Sequence, residues 1–182
     1  MSVNTLRKRK LSIGAQGLAA LCALIAAVAL PQLLHVMGTL SGLGTALGEI
    51  FLPMHLPIIL VGLLAGPLAG SLSGALAPLV SFALTGMPLT TMLPFIMIEL
   101  ATYGLCAGLL RNRKLPTAVK VVLVQLGGRA LRTIAILLAV LAFGHGVALA
   151  TIWTSIARGL IGLALQWTLI PLILYRFDHA GL

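Results

Sequence analysis

From Leu11 to Leu34 the chain carries no charged side chain, and comparable apolar runs recur almost to its end. Hydrocarbon offers no water to a backbone N–H or C=O, so a spanning segment satisfies its own polar groups by coiling into a helix. Only 8% of the residues are charged and 60% are hydrophobic, with a mean hydropathy of +1.14. Soluble domains average about 25% charged residues, so this composition describes an integral membrane protein. A spanning helix takes roughly 20 residues. The 182 residues therefore hold about six spans in one all-α transmembrane domain.

The spans are expected at 11–34, 53–65, 68–84, 90–110, 118–143 and 151–174, with tails at 1–10 and 175–182. The second is short, and the glycine-rich stretch 35–52 before it reads as an extended loop from which that span could borrow residues. Gly66-Pro67 and Gly86-Met87-Pro88 are turn signals. Arg7-Lys8-Arg9-Lys10 precede the first apolar run as in a targeting segment. That run exceeds the roughly 7–15 residues of a signal core, so it is expected to be a retained helix. Arg111, Arg113, Lys114 and Lys120 surround the fourth connection, and Arg176 follows the last span. Stretches 35–52, 85–88 and 144–150 contain no Lys or Arg. The positive-inside rule then puts both termini in the cytoplasm.

Four charges lie inside these runs: Glu99, Arg129, Arg132 and Arg158. Even on a lenient scale, such a group at a helix centre costs about 2.5–3.5 kcal/mol, so it faces a protein interior or a cavity and finds a partner. Gln125, Arg129 and Arg132 share one helix face by their spacing. So do Thr154, Arg158, Gly162 and Gln166, and so do Phe95, Glu99 and Tyr103. Three polar stripes of this kind should converge on an interior cavity. Glu99 falls roughly 14 Å from one end of its span and Arg129 roughly 17 Å from the other end of its own, so they can pair near mid-membrane. No acid remains in the spans for Arg132 and Arg158. That positive surplus points to a pocket for a small organic anion, although a Glu99–Arg129 pair could instead lock the bundle and Arg158 could snorkel outward.

The segment Glu49-Ile50-Phe51-Leu52-Pro53-Met54-His55-Leu56-Pro57 runs from the outer loop into the second span, and its His55, near the outer edge, could hydrogen-bond a ligand at the cavity mouth or be satisfied by backbone. His35 and His145 read as interfacial, and His179 lies in the tail. Cys22 and Cys106 sit in apolar runs without metal-ligand or disulfide spacing. Neither a phosphate-cradling loop nor a G-x-S-x-G motif occurs, so the chain itself has no means to hydrolyse ATP, and no cofactor is implied. The +9 charge lacks the basic, aromatic-interleaved domain that nucleic acid requires. In the first span Ala15, Ala19, Ala23 and Ala27 recur every four residues. This small-residue ridge suits close helix approach, either to another membrane protein or within the chain's own bundle.

The segment from Leu52-Pro53-Met54-His55-Leu56-Pro57-Ile58 through Gly62, Gly66-Pro67 and Gly70 resembles the substrate-binding S components of energy-coupling factor (ECF) vitamin transporters. Gly86-Met87-Pro88, Glu99-Leu100-Ala101-Thr102-Tyr103-Gly104-Leu105, Gly128-Arg129 and Gln166 with Ile170-Pro171 extend the likeness over about 11–175. The resemblance implies six helices and residence in a bacterial or archaeal plasma membrane. It also implies a pocket formed by the last three helices and capped by the first connection. It implies docking of the alanine ridge on a transmembrane coupling subunit, itself bound to two ABC ATPase subunits. The substrate-binding set is then expected to be Arg132, Arg158, Glu99, Arg129, His55, Glu49, Gln166 and Tyr103. Metal-carrying S components resemble this chain in a Met-His pair, but theirs is N-terminal and Met54-His55 is internal, so a metal substrate is not expected. Pantothenate is the first candidate substrate, and nicotinate or another carboxylated precursor the second. Two other classes compete. A structural subunit without ligand is one. The other is an intramembrane enzyme using Glu99 and His55, which would need both within hydrogen-bond reach of one reacting group. Their expected difference in depth argues against it.

Overall fold

A computed structural model describes residues 11–144 and 146–179, and every regular element among them is helical. The elements are α1 Ile13–Leu40, α2 Ala46–Phe51, α3 His55–Ala65, α4 Pro67–Thr85, α5 Leu93–Leu110, α6 Thr117–Phe143 and α7 Ala150–His179. Six segments are long and apolar enough to cross a membrane, with α2 and α3 counting together as Ala46–Ala65. Arg7, Lys8, Arg9, Lys10 and His145 lie outside the described residues.

Local chemistry sets the ends. The Ser12 hydroxyl accepts a hydrogen bond from the Ala15 N–H at 3.2 Å and caps α1. Pro67 opens α4, where its missing N–H would have had no partner. Gly86 and Gly144 close α4 and α6 in the left-handed region.

The stretch 35–52 is not the extended loop that its glycines imply. α1 continues to Leu40, and residues 46–51 form α2. Gly38 does not break α1; it makes room, since a Cβ there would collide with the Gly44 carbonyl. The chain folds back over Gly38 and lays α2 against the bundle. At the other end α7 also outruns the expected Leu174 limit and stays helical to His179.

α3 and α5 are central. α4 packs against α5 at backbone distance, because Gly70 and Gly74 face Gly104 and Leu100 with no side chain between them. Ile58, Ile59, Leu100, Tyr103, Val121, Val124 and Ile170 form the main core. Leucines such as Leu18, Leu33, Leu84, Leu126, Leu138 and Leu172 stay exposed on the outside, as a lipid-facing surface requires.

The alanine ridge is buried at its C-terminal end. Ala27 is fully buried in the main core, and Ala23 is buried with Val61, Ala65 and Ala69, with Ala19 packed beside them. Ala15 is half-buried. Ala23 and Ala27 therefore pack within the bundle, while Ala15 and Ala19 keep part of their surface on the outside. Four-residue spacing defines a face of a helix but not the neighbour that covers it.

Candidate functional site

Glu99, in the first half of α5, is completely buried and gathers four side chains from three helices. Its Oε2 accepts a hydrogen bond from Arg132 Nη1 at 2.8 Å. Its Oε1 lies 3.1 Å from Arg129 Nε, accepts from the Tyr103 hydroxyl at 3.0 Å, and stands 3.8 Å from His55 Nε2. Glu99 and Tyr103 are one turn apart on α5, and Arg129 and Arg132 one turn apart on α6, so two short periodicities face each other. Gly128 makes the approach feasible: a Cβ there would strike the Tyr103 ring. From α7, the Ser155 hydroxyl accepts from Arg129 Nη1 at 3.4 Å.

The arrangement is rich in charge but short of acceptors. Arg129 Nη2, Arg132 Nε and both ring nitrogens of His55 are buried without a hydrogen-bond partner. A buried polar group left without its hydrogen bond costs about 1–3 kcal/mol, more when charged, so a cluster of them calls for a partner. All three residues line a cavity of about 340 Å³.

Exposure defines the two ends of that cavity. The Arg129, Arg132 and Glu99 side chains are only 11%, 12% and 1% exposed and form its floor. Glu49 and Arg158, 48% and 64% exposed, pair at 2.6 Å and form its mouth. Met54, Met87, Met92 and Ile96 supply an apolar wall, while Thr151, Thr154 and Ser155 supply a wall of hydroxyls. α2 covers one side because α7 gives it room. At Gly162 a Cβ would meet the backbone of Ile50 and Phe51, and at Gly159 it would meet the Leu52 side chain.

Several expectations change. Arg132 and Arg158 are not unneutralised: Arg132 shares Glu99 with Arg129, and Arg158 takes Glu49. The acid missing from the spans comes from α2, which sequence alone left in a loop. Among the arginines and glutamates of the site, the surplus that remains is one positive charge, three guanidinium groups against two carboxylates. His55 is not separated in depth from Glu99. It starts α3 in the middle of the Ala46–Ala65 segment rather than at an outer edge, which removes the distance argument against joint action.

Gln166 and Tyr103 do not line the cavity. Gln166 accepts from Gln125 Nε2 at 3.1 Å and donates to the Leu52 carbonyl at 3.4 Å, while Trp167 Nε1 donates to Gln125 Oε1 at 2.6 Å. That closed network ties α6 and α7 to the end of α2. Tyr103 acts through Glu99, holding its carboxylate from behind the cavity. Sequence reasoning missed Ser155, whose signal was its place one turn before Arg158, and Met87 and Met92, for which no signal distinguished wall from lipid contact. No group of three or more His, Cys, Asp or Glu that could hold a metal ion occurs among the described residues.

The family model for the substrate-specific component of ECF transporters matches residues 18–174, most of the chain and all of the cavity. Comparison with curated proteins and with solved structures gives no match.

Proposed function

We propose, from the premise that this chain belongs to the substrate-specific components of ECF transporters, that it captures a small organic carboxylate in the cavity floored by Arg129 and Arg132. Members of this family are substrate-binding subunits rather than ATPases, and they work with transmembrane and ATPase subunits of the transporter. The observation that carries the reading is the pair of buried arginines sharing one carboxylate, with donors still unmet beside an open volume. A ligand carboxylate would supply the missing acceptors and match the one-charge surplus. Charge-assisted hydrogen bonds to guanidinium are the strong kind, and burial strengthens them further.

Pantothenate is the first candidate and nicotinate the second. Both are monoanions with a body that can use an apolar wall and a hydroxyl wall. The basic residues Arg111, Arg113 and Lys114 lie at the end of α5 opposite the cavity, and Arg176 near the far end of α7. By the positive-inside rule that end and both termini face the cytoplasm, and the mouth faces out, in a bacterial or archaeal plasma membrane. The bound substrate would then pass inward through a coupling subunit driven by two ABC ATPase subunits.

The test is calorimetric titration of the purified protein, without any ATPase subunit, across vitamins and their precursors. The expected result is tight binding of a carboxylate. Binding of cationic compounds alone would sink the proposal. Because His55 and Glu99 stand 3.8 Å apart at the cavity floor, the bound molecule should also be recovered and identified. Capture predicts that it is unchanged, whereas a converted product would favour an intramembrane enzyme.

A further inference from the structure

Glu49 projects a carboxylate into the mouth of a cavity whose floor is built to receive one. It comes from α2, the segment laid over the cavity, and the hydrogen bond from Arg158 Nη1 at 2.6 Å spans 109 positions of sequence. Its side chain is about half exposed, so the pair sits in near-aqueous surroundings and holds weakly. The floor is close by. Ser155, which touches Arg129, and Arg158 are three residues apart on α7, a rise of roughly 4.5 Å. A ligand of vitamin size anchored on Arg129 and Arg132 therefore brings its far end beside Glu49 and Arg158. All four of these charged residues line the one cavity.

We infer that Glu49 is a specificity-determining residue that restricts the site to monoanions, rejecting molecules with a second anionic group at the end away from the buried arginines. This rests on the carboxylate reading above and deepens it by fixing the charge class of the substrate. The floor accepts the first carboxylate because Arg129 and Arg132 exceed Glu99 by one charge. At the mouth, Arg158 is already matched by Glu49. A second anionic group arriving there must share Arg158 with a fixed carboxylate of its own sign. It gains no new cation and meets one repulsion. Two like charges about 4 Å apart in water-like surroundings repel enough to weaken binding about fivefold.

The test compares two pairs of probes that differ by one anionic group at the far end: pantothenate with 4′-phosphopantothenate, and nicotinate with pyridine-2,5-dicarboxylate. Each is titrated into the wild-type protein and into Glu49→Gln, Arg158→Gln and Arg132→Gln. In the wild type the monoanion of a binding pair should be preferred. Glu49→Gln is nearly isosteric, so a filter based on size alone would leave that preference unchanged. A filter based on charge predicts that the preference narrows about fivefold. Arg158→Gln should widen it, because Glu49 then stands unopposed. An unchanged preference in Glu49→Gln, or a wild-type preference for the dianion, overturns the inference while leaving the carboxylate reading intact. Monoanion binding that survives Arg132→Gln undiminished overturns the carboxylate reading instead. Failure of all four probes to bind the wild type overturns both.

Discussion

Glu99 and Glu49 are both carboxylates held by arginine, and both line the same cavity, yet their surroundings differ in almost every respect. Glu99 is shared by two arginines, a tyrosine and a histidine, all brought in by helix faces and all nearly sealed from solvent. Glu49 meets one arginine across an open mouth. Burial makes the first cluster indivisible, since removing one member of a buried pair leaves an uncompensated charge and costs about 3–5 kcal/mol. The second is held in high dielectric, where such pairs contribute about 0–1 kcal/mol. The difference separates two tasks. On the proposed function, the floor fixes where a ligand charge goes, and the mouth selects at little cost to stability.

The largest effect should come from breaking the floor. Glu99→Gln strands two buried guanidinium groups, and the melting temperature of the empty protein should fall by the equivalent of about 3–5 kcal/mol. A carboxylate ligand should restore part of that loss, because it replaces the missing anion. No ligand rescue would show that the arginines do not face the ligand.

Arg132→Gln comes next. Arg129 still partners Glu99, so the empty protein should lose less stability than in Glu99→Gln. Carboxylate affinity, measured by calorimetry, should fall by about 2 kcal/mol or more, as expected when a buried charge partner is truncated. A loss of stability with unchanged affinity would make Arg132 scaffold only.

The alanine ridge provides a smaller contrast, between packing and docking. Ala23→Leu inserts bulk beside Val61, Ala65 and Ala69 and should lower stability by about 1–3 kcal/mol without a partner present. A variant that melts like the wild type but fails to assemble with a coupling subunit would return the ridge to the surface.

Smallest of all, Glu49→Gln and Arg158→Gln should each change thermal stability by less than about 1 kcal/mol, and raised salt should erase the difference. A large loss in either would mean that the mouth pair holds α2 in place and is not free to exchange.

The legible part of this site was its periodic part. Spacing alone put Glu99 with Tyr103 and Arg129 with Arg132, and the cost of lone charges in hydrocarbon implied that they converge. Contacts between distant segments were not legible. Nothing local to Glu49 announces Arg158, because the pairing depends on α2 folding over Gly38 and docking on Gly162. The depth of His55 was misjudged for the same reason: with α2 read as loop, the span begins just before His55. Gln166 fell on the correct stripe of α7 but about two turns past Arg158, beyond the cavity and into the network with Gln125. Six spans, by contrast, follow from long apolar runs that need no tertiary information.

The proposed function turns on the buried arginines receiving a carboxylate. Carboxylate compounds should therefore be titrated beside neutral counterparts, pantothenate with panthenol and nicotinate with nicotinamide, into the wild type and Arg132→Gln. The wild type should prefer the carboxylate member of a binding pair by about 30-fold or more, the equivalent of about 2 kcal/mol. Arg132→Gln should remove most of that preference. Equal binding of a neutral counterpart by the wild type, or a preference that persists in Arg132→Gln, would contradict it.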